Sequence, residues 1–227
     1  MNIDRVVLSI DTSDLDIARK LVTLAKANGG KVVKFGLELS TAYSWKQCAD
    51  IAKEQSMDWI ADAKLDDIPH TVGMAVTNIC NLDPRPVGIT VHIKAGDETL
   101  RLAQASAGET IIFGVTELTA IPDAETWEKY TLHRSELINR LFHSAKRTGI
   151  KGVVVSGNEV EDAKANQLLT LVPGIRSHSA DKNDQSHTVT PKTALERGAD
   201  YMVVGRQVTQ AVNPSEAYRE LREEIEF

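Results

Sequence analysis

Cysteine is almost missing from these 227 residues, with only Cys48 and Cys80 present. Two thiols give neither a disulfide framework nor metal-like spacing, and they suit a reducing compartment and the packing faces of helices. Long apolar runs are missing too. No stretch approaches the roughly 20 residues that would span a bilayer. The opening "MNIDRVVLSIDTSD" lacks the basic start and apolar segment of a signal peptide, so the expectation is a cytoplasmic protein without a membrane partner. Positive charge is in deficit, with 26 Lys and Arg against 32 Asp and Glu, a net charge of -6. That argues against a nucleic-acid partner, because phosphate backbones reward clustered cations. A small anionic ligand remains compatible, provided that positive charge is gathered in one pocket. Gly/Ser linkers, low-complexity segments and close repeats are also lacking. The expectation is one domain over residues 1–227, long enough to bury a sizeable core.

What is present is alternation. Short runs rich in β-branched residues recur along the chain: "RVVLSID" (5–11), "KVVKFG" (31–36), "WIADAKL" (59–65), "GITVHI" (88–93), "TIIFGVT" (110–116), "GVVVSG" (152–157), "LTLVPGI" (169–175) and "YMVVGR" (201–206). Between them lie segments such as "LDIARKLVTLAKANGG", with apolar residues three and four apart and glycine at the end. Strands alternating with helices imply a parallel sheet. Eight such units are the pattern of an α/β (β/α)₈ TIM barrel, and a doubly wound open sheet is the alternative.

The stretch "WIADAKLDDIPHTV" then needs explaining, because it sets charges inside an apolar run. Side chains on a strand alternate between faces. Trp59, Ala61, Ala63 and Leu65 share one face, and Ile60, Asp62 and Lys64 the other. By the same alternation Val7, Ser9 and Asp11 share a face, Lys34 lies opposite Val33 and Phe35, and His92 opposite Val91 and Ile93. Arg206 falls opposite Val203 and Gly205. Asp11, Lys34, Lys64 and Arg206 are therefore expected to converge on the C-terminal mouth of a barrel, where such enzymes keep their active sites. One Asp-x-Lys pair reads as an ordinary ion pair. Several inward charges do not, since burying ions costs several kcal/mol each without good partners. His92 reads either as a pocket residue or as a hydrogen-bonded core histidine.

The eighth run ends in Gly205 and Arg206, and the seventh is followed by the long polar loop "RSHSADKNDQSHTVTP". Barrel enzymes often bind phosphate with the loops after strands seven and eight, and an arginine adds a bidentate contact. A phosphorylated small molecule is the expected substrate.

"DAKLDDIPHT" resembles the Asp-x-Lys-x-x-Asp-Ile-Pro-x-Thr signature of the orotidine 5'-phosphate decarboxylase family. The resemblance extends over nearly the whole chain, through "LSID", "KFG", "VTELT", "VPGIR", "DQ" and "TPKTALERGADYMVVGR". It implies removal of CO₂ from orotidine 5'-monophosphate to give UMP, without metal or organic cofactor, by a homodimer of barrels sharing their active sites. It implies Lys64 as proton donor to pyrimidine C6, Asp62 beside the substrate carboxylate, and Asp67 reaching in from the partner subunit. Asp11 and Lys34 match ribose-binding positions, and Thr71 one that crosses from the partner. Thr119 matches the hydroxyl residue near the base, Arg176 and Gln185 match positions in the closing loop and before it, and Gly205 and Arg206 match the phosphate site.

The chemistry fits those residue types. Loss of CO₂ leaves negative charge at C6, which a nearby ammonium stabilises and then protonates. Carboxylates on either side favour the charged form of an amine. One alternative is the magnesium-dependent sugar-phosphate decarboxylases and aldolases of the same ancestry. These carry an acid near the end of strand two, where this chain has Lys34. Another is a non-catalytic phosphate-binding barrel, which has no need of a lysine between carboxylates.

Overall fold

The structure, a computed structural model, describes residues 5–177 and 188–226. Eight parallel strands close on themselves in sequence order, β1 pairing with β2 and so on round to β8 and back to β1. They are β1 (Val6–Ile10), β2 (Val32–Phe35), β3 (Asp58–Leu65), β4 (Gly88–His92), β5 (Ile111–Val115), β6 (Gly152–Val154), β7 (Leu169–Val172) and β8 (Tyr201–Val204). Every expected run becomes a strand, generally shortened at its ends where the chain turns away from its neighbours. The closed barrel replaces the open-sheet alternative.

Helices α1 (Leu15–Ala27), α2 (Leu37–Ala42), α3 (Trp45–Glu54), α4 (Pro69–Cys80), α5 (Asp97–Ala107), α6 (Asp123–Tyr130), α7 (Arg134–Thr148), α8 (Val160–Ala165), α9 (Pro191–Glu196), α10 (Arg206–Thr209) and α11 (Pro214–Glu226) follow in chain order. Their starts obey local chemistry. Asp14 caps α1 by accepting from the amides of Asp16 and Ile17, and Thr190 caps α9 by accepting from Thr193 N. Proline opens α4 and α9, where a missing N–H costs nothing. Among the described residues no helix is long and apolar enough to cross a membrane.

Strand alternation divides the apolar residues into two cores. Val6, Leu8, Ile10, Val33, Phe35, Trp59 and Ala61 face outward into the large layer beneath the helices. Val7, Val32, Ile60, Phe113, Leu171 and Val203 fill the barrel interior. Phe113 takes up so much of that interior that a Cβ on Gly88 or Gly152 would stand 2.7 or 2.6 Å from its ring. Each inner residue precedes a polar one by two positions on β1, β2 and β3. The apolar plug therefore forms the floor beneath Ser9, Lys34 and Asp62.

Candidate active site

Above that floor lies a cavity of about 310 Å³, lined by Asp11, Lys34, Asp62, Lys64, Thr119, Arg176, Gly205 and Arg206 among others. Its size is that of a small-ligand site. Asp62 is the centre of the charge array. Its Oδ2 lies 2.7 Å from Lys34 Nζ and 2.7 Å from Lys64 Nζ. Lys34 Nζ is also 3.9 Å from Asp11 Oδ1, and Asp11 Oδ2 accepts a hydrogen bond from Ser9 Oγ at 2.7 Å. The chain Asp11–Lys34–Asp62–Lys64 thus alternates in sign across three adjacent strands. Gly36 makes room for it, since a Cβ there would stand 2.7 Å from Asp11 Oδ1.

The electrostatics follow from this packing. Burial alone would push the Asp62 carboxyl up, but Lys34 and Lys64 hold it well below the usual carboxylate range. Burial alone would push the Lys34 ammonium down, but Asp62 and Asp11 keep it above the ordinary lysine value. Both groups are therefore charged at neutral pH.

Lys64 has φ of +44°, a left-handed conformation that costs a non-glycine residue about 1–2 kcal/mol. It lies in an irregularity of the β3–β4 ladder. Ala61 pairs with Ile89 and Leu65 with Val91, so Asp62, Ala63 and Lys64 stand against the single residue Thr90.

Some expected residues are placed differently. Arg206 does not reach the cavity by strand alternation, because β8 ends at Val204 and Arg206 opens α10. Val203, expected on the opposite face from Arg206, instead lines the same cavity from the barrel interior. The turn at Gly205 breaks the period of two. Asp67 and Thr71 are exposed and lie outside the cavity lining of their own chain. Gln185 lies outside the described residues. His92 is buried and does not line the cavity, and burial together with Lys94 lowers its pKa, favouring the neutral ring. Asp66 pairs with Lys94 at 3.2 Å on the surface.

The sequence reading missed Thr90, Glu117 and the pair Arg134–Glu159. Glu117 lines the cavity, and its Oε1 accepts from Leu118 N at 3.0 Å. Arg134 Nε donates to Glu159 Oε1 at 2.7 Å, while its other nitrogens donate to the carbonyls of Ile121 and Glu117. Glu159 Oε2 accepts from Ser156 N at 2.8 Å. This buried pair ties the loop bearing Thr119 to the loop after β6. No local spacing announces it, since the partners are 25 residues apart and each begins or precedes an ordinary helix. Among the described residues no three His, Cys, Asp or Glu side chains gather as a metal-holding group.

Comparison with known proteins adds to this geometry. The model of the family described as "Orotidine 5'-phosphate decarboxylase / HUMPS family" matches residues 4–221. The chain belongs to that family. It is 36% identical over 240 residues to the orotidine 5'-phosphate decarboxylase of Enterococcus faecalis, covering 97% of this chain and 98% of that one. It is 32% identical over 241 residues to that of Dictyoglomus thermophilum, covering 98% and 96%. The crystal structure of orotidine 5'-phosphate decarboxylase from Lactobacillus acidophilus superposes with a TM-score of 0.83 at 27% identity, covering 99% of this chain and 100% of that one. The Asp62–Lys64 array thus stands in a decarboxylase-family barrel.

Proposed function

We propose that the protein is an orotidine 5'-phosphate decarboxylase, converting orotidine 5'-monophosphate to UMP and CO₂ in pyrimidine biosynthesis. The observation that carries this reading is Lys64 Nζ held 2.7 Å from Asp62 in a cavity that also gathers Lys34, Arg176 and Arg206. The C6–carboxylate bond breaks, CO₂ departs, and the electron pair left at C6 takes a proton from Lys64. The amine then regains a proton from solvent. Lys64 stabilises the charge as it develops, and Asp62 fixes the ammonium in place before the reaction begins. Asp11 and Lys34 hold the ribose, Thr119 the base, and Gly205 and Arg206 the phosphate, with Arg176 and Gln185 assigned to the closing loop and the segment before it. Binding energy from the remote phosphate is then realised as rate at the base.

The reading includes a homodimer in which Asp67 and Thr71 enter the partner's cavity, and action in the cytoplasm. The exposure of both residues outside their own cavity supports the first, and two free buried thiols suit the second. Mixing two inactive variants, Lys64→Ala and Asp67→Ala, tests the shared site. Heterodimers would regain one intact site each, roughly a quarter of native activity for random mixing. Recovery of none would remove Asp67 from the partner's cavity.

The magnesium-dependent alternative meets Lys34 where it needs an acid, and an ammonium 2.7 Å from Asp62 competes with any cation there. The decisive experiment incubates EDTA-treated protein with orotidine 5'-monophosphate and follows the pyrimidine absorbance. Conversion to UMP and CO₂ is the expected result. Turnover only of sugar phosphates with added magnesium would replace the reading.

A further inference from the structure

The strained backbone at Lys64 needs something to hold it, and one side chain touches both ends of the catalytic pair. Thr90, on β4, is wholly buried. Its Oγ1 donates to Asp62 Oδ1 at 2.9 Å and accepts from the backbone amide of Lys64 at 2.8 Å. The hydroxyl has one proton to give and lone pairs to receive, so both contacts form at once.

We infer that Thr90 is a positioning residue for the decarboxylation, its hydroxyl setting the spacing between the Asp62 carboxylate and the Lys64 ammonium. The ladder geometry explains why this task falls to β4. Three residues of β3 stand against Thr90 alone, so the Lys64 amide has left the regular register. Without Thr90 Oγ1 that amide would have lost its hydrogen bond, in a residue whose φ of +44° needs support from its surroundings. The same hydroxyl occupies Asp62 Oδ1 and leaves Oδ2 to the two ammonium groups. Removing it frees the carboxylate to rotate and the Lys64 backbone to relax toward an ordinary strand. Either movement changes where the Lys64 Nζ stands relative to a bound pyrimidine. A shift of an ångström in a reacting group is enough to cost rate. Thr90 does not line the cavity, so it acts through Asp62 and Lys64 and not on the substrate.

The inference rests on the proposed decarboxylase function and deepens it. The test compares the wild type with Thr90→Val, Thr90→Ala and Thr90→Ser, measuring kcat and KM for orotidine 5'-monophosphate, UMP inhibition and Tm. Losing a hydrogen bond to a charged group predicts a fall in kcat of about 10- to 100-fold for the valine and alanine variants. The UMP inhibition constant should stay near its native value, because the phosphate and ribose contacts are untouched. Thr90→Ser, which keeps the hydroxyl, should restore kcat to within about threefold of the wild type. Native kcat in Thr90→Val or Thr90→Ala would overturn the role, and so would a serine variant as slow as they are. Failure of both hydroxyl-free variants to fold, with the serine variant intact, would make Thr90 a folding residue and overturn it too. The wild type is assayed first. Absence of turnover there overturns the functional reading and takes the role of Thr90 with it, whereas turnover indifferent to Thr90 overturns the role alone.

Discussion

Lys34 Nζ on β2 lies 2.7 Å from Oδ2 of Asp62 on β3, the same carboxylate oxygen that Lys64 reaches from two residues further along β3. One oxygen therefore bridges two ammonium groups. Burial works against the charged carboxylate, yet the two lysines keep its pKa well below the usual range. A carboxyl depressed in this way contributes stability that is complete above the ordinary Asp value of about 3.9 and is lost as pH falls toward the folded-state value. Asp62→Asn should be less stable than the wild type by about 3–5 kcal/mol at pH 6, since it removes the carboxylate paired with Lys34 and Lys64 and leaves buried Lys34 only Asp11 at 3.9 Å. The gap should narrow below about pH 4. Denaturant titrations at pH 6 and pH 3 check this, and a gap independent of pH would contradict it.

Lys64→Ala removes the proposed proton donor while leaving the proposed phosphate side of the cavity intact. The expected outcome is a fall in kcat of at least about 10²–10⁴-fold, the usual contribution of a positioned acid. UMP should still bind, which equilibrium titration of the variant measures. Near-native kcat would remove Lys64 from the chemistry.

Arg206→Ala tests the proposed phosphate end of the cavity. Loss of a charged contact to phosphate predicts a KM raised about 10- to 100-fold, with a smaller effect on kcat. Steady-state kinetics of the two variants side by side test this division of labour. An equal fall in kcat for both at unchanged KM would contradict it.

Arg134 and Glu159 are both buried and bonded at 2.7 Å beneath the loops after β5 and β6. Arg134→Met should cost about 3–5 kcal/mol, because it strands the Glu159 charge in the interior. The double variant Arg134→Met/Glu159→Gln should recover part of the loss, as glutamine removes that charge and still accepts from Ser156 N. Urea midpoints for the single and double variants measure the coupling. Additive losses would show that the two residues act independently.

Much of this protein was already written in a period of two. Val7–Ser9–Asp11, Lys34 and Ile60–Asp62–Lys64 read as inward-facing from the sequence, and in the structure Val7, Val32 and Ile60 lie beneath Ser9, Lys34 and Asp62. Alternation is a local property of extended backbone, so it survives whatever the rest of the chain does. The family motif in "DAKLDDIPHT" lies on and just beyond β3 for the same reason: it is contiguous. Other features had no local signature. The turn at Gly205 carries Arg206 off the strand and onto α10, which defeats a count by twos. Thr90 faces Asp62 only because the β3–β4 register slips by the residues between Ala61 and Leu65. Arg134 meets Glu159 only once α7 has packed beside the loop after β6. These contacts depend on how separate segments align when the barrel closes, so tertiary structure decided them.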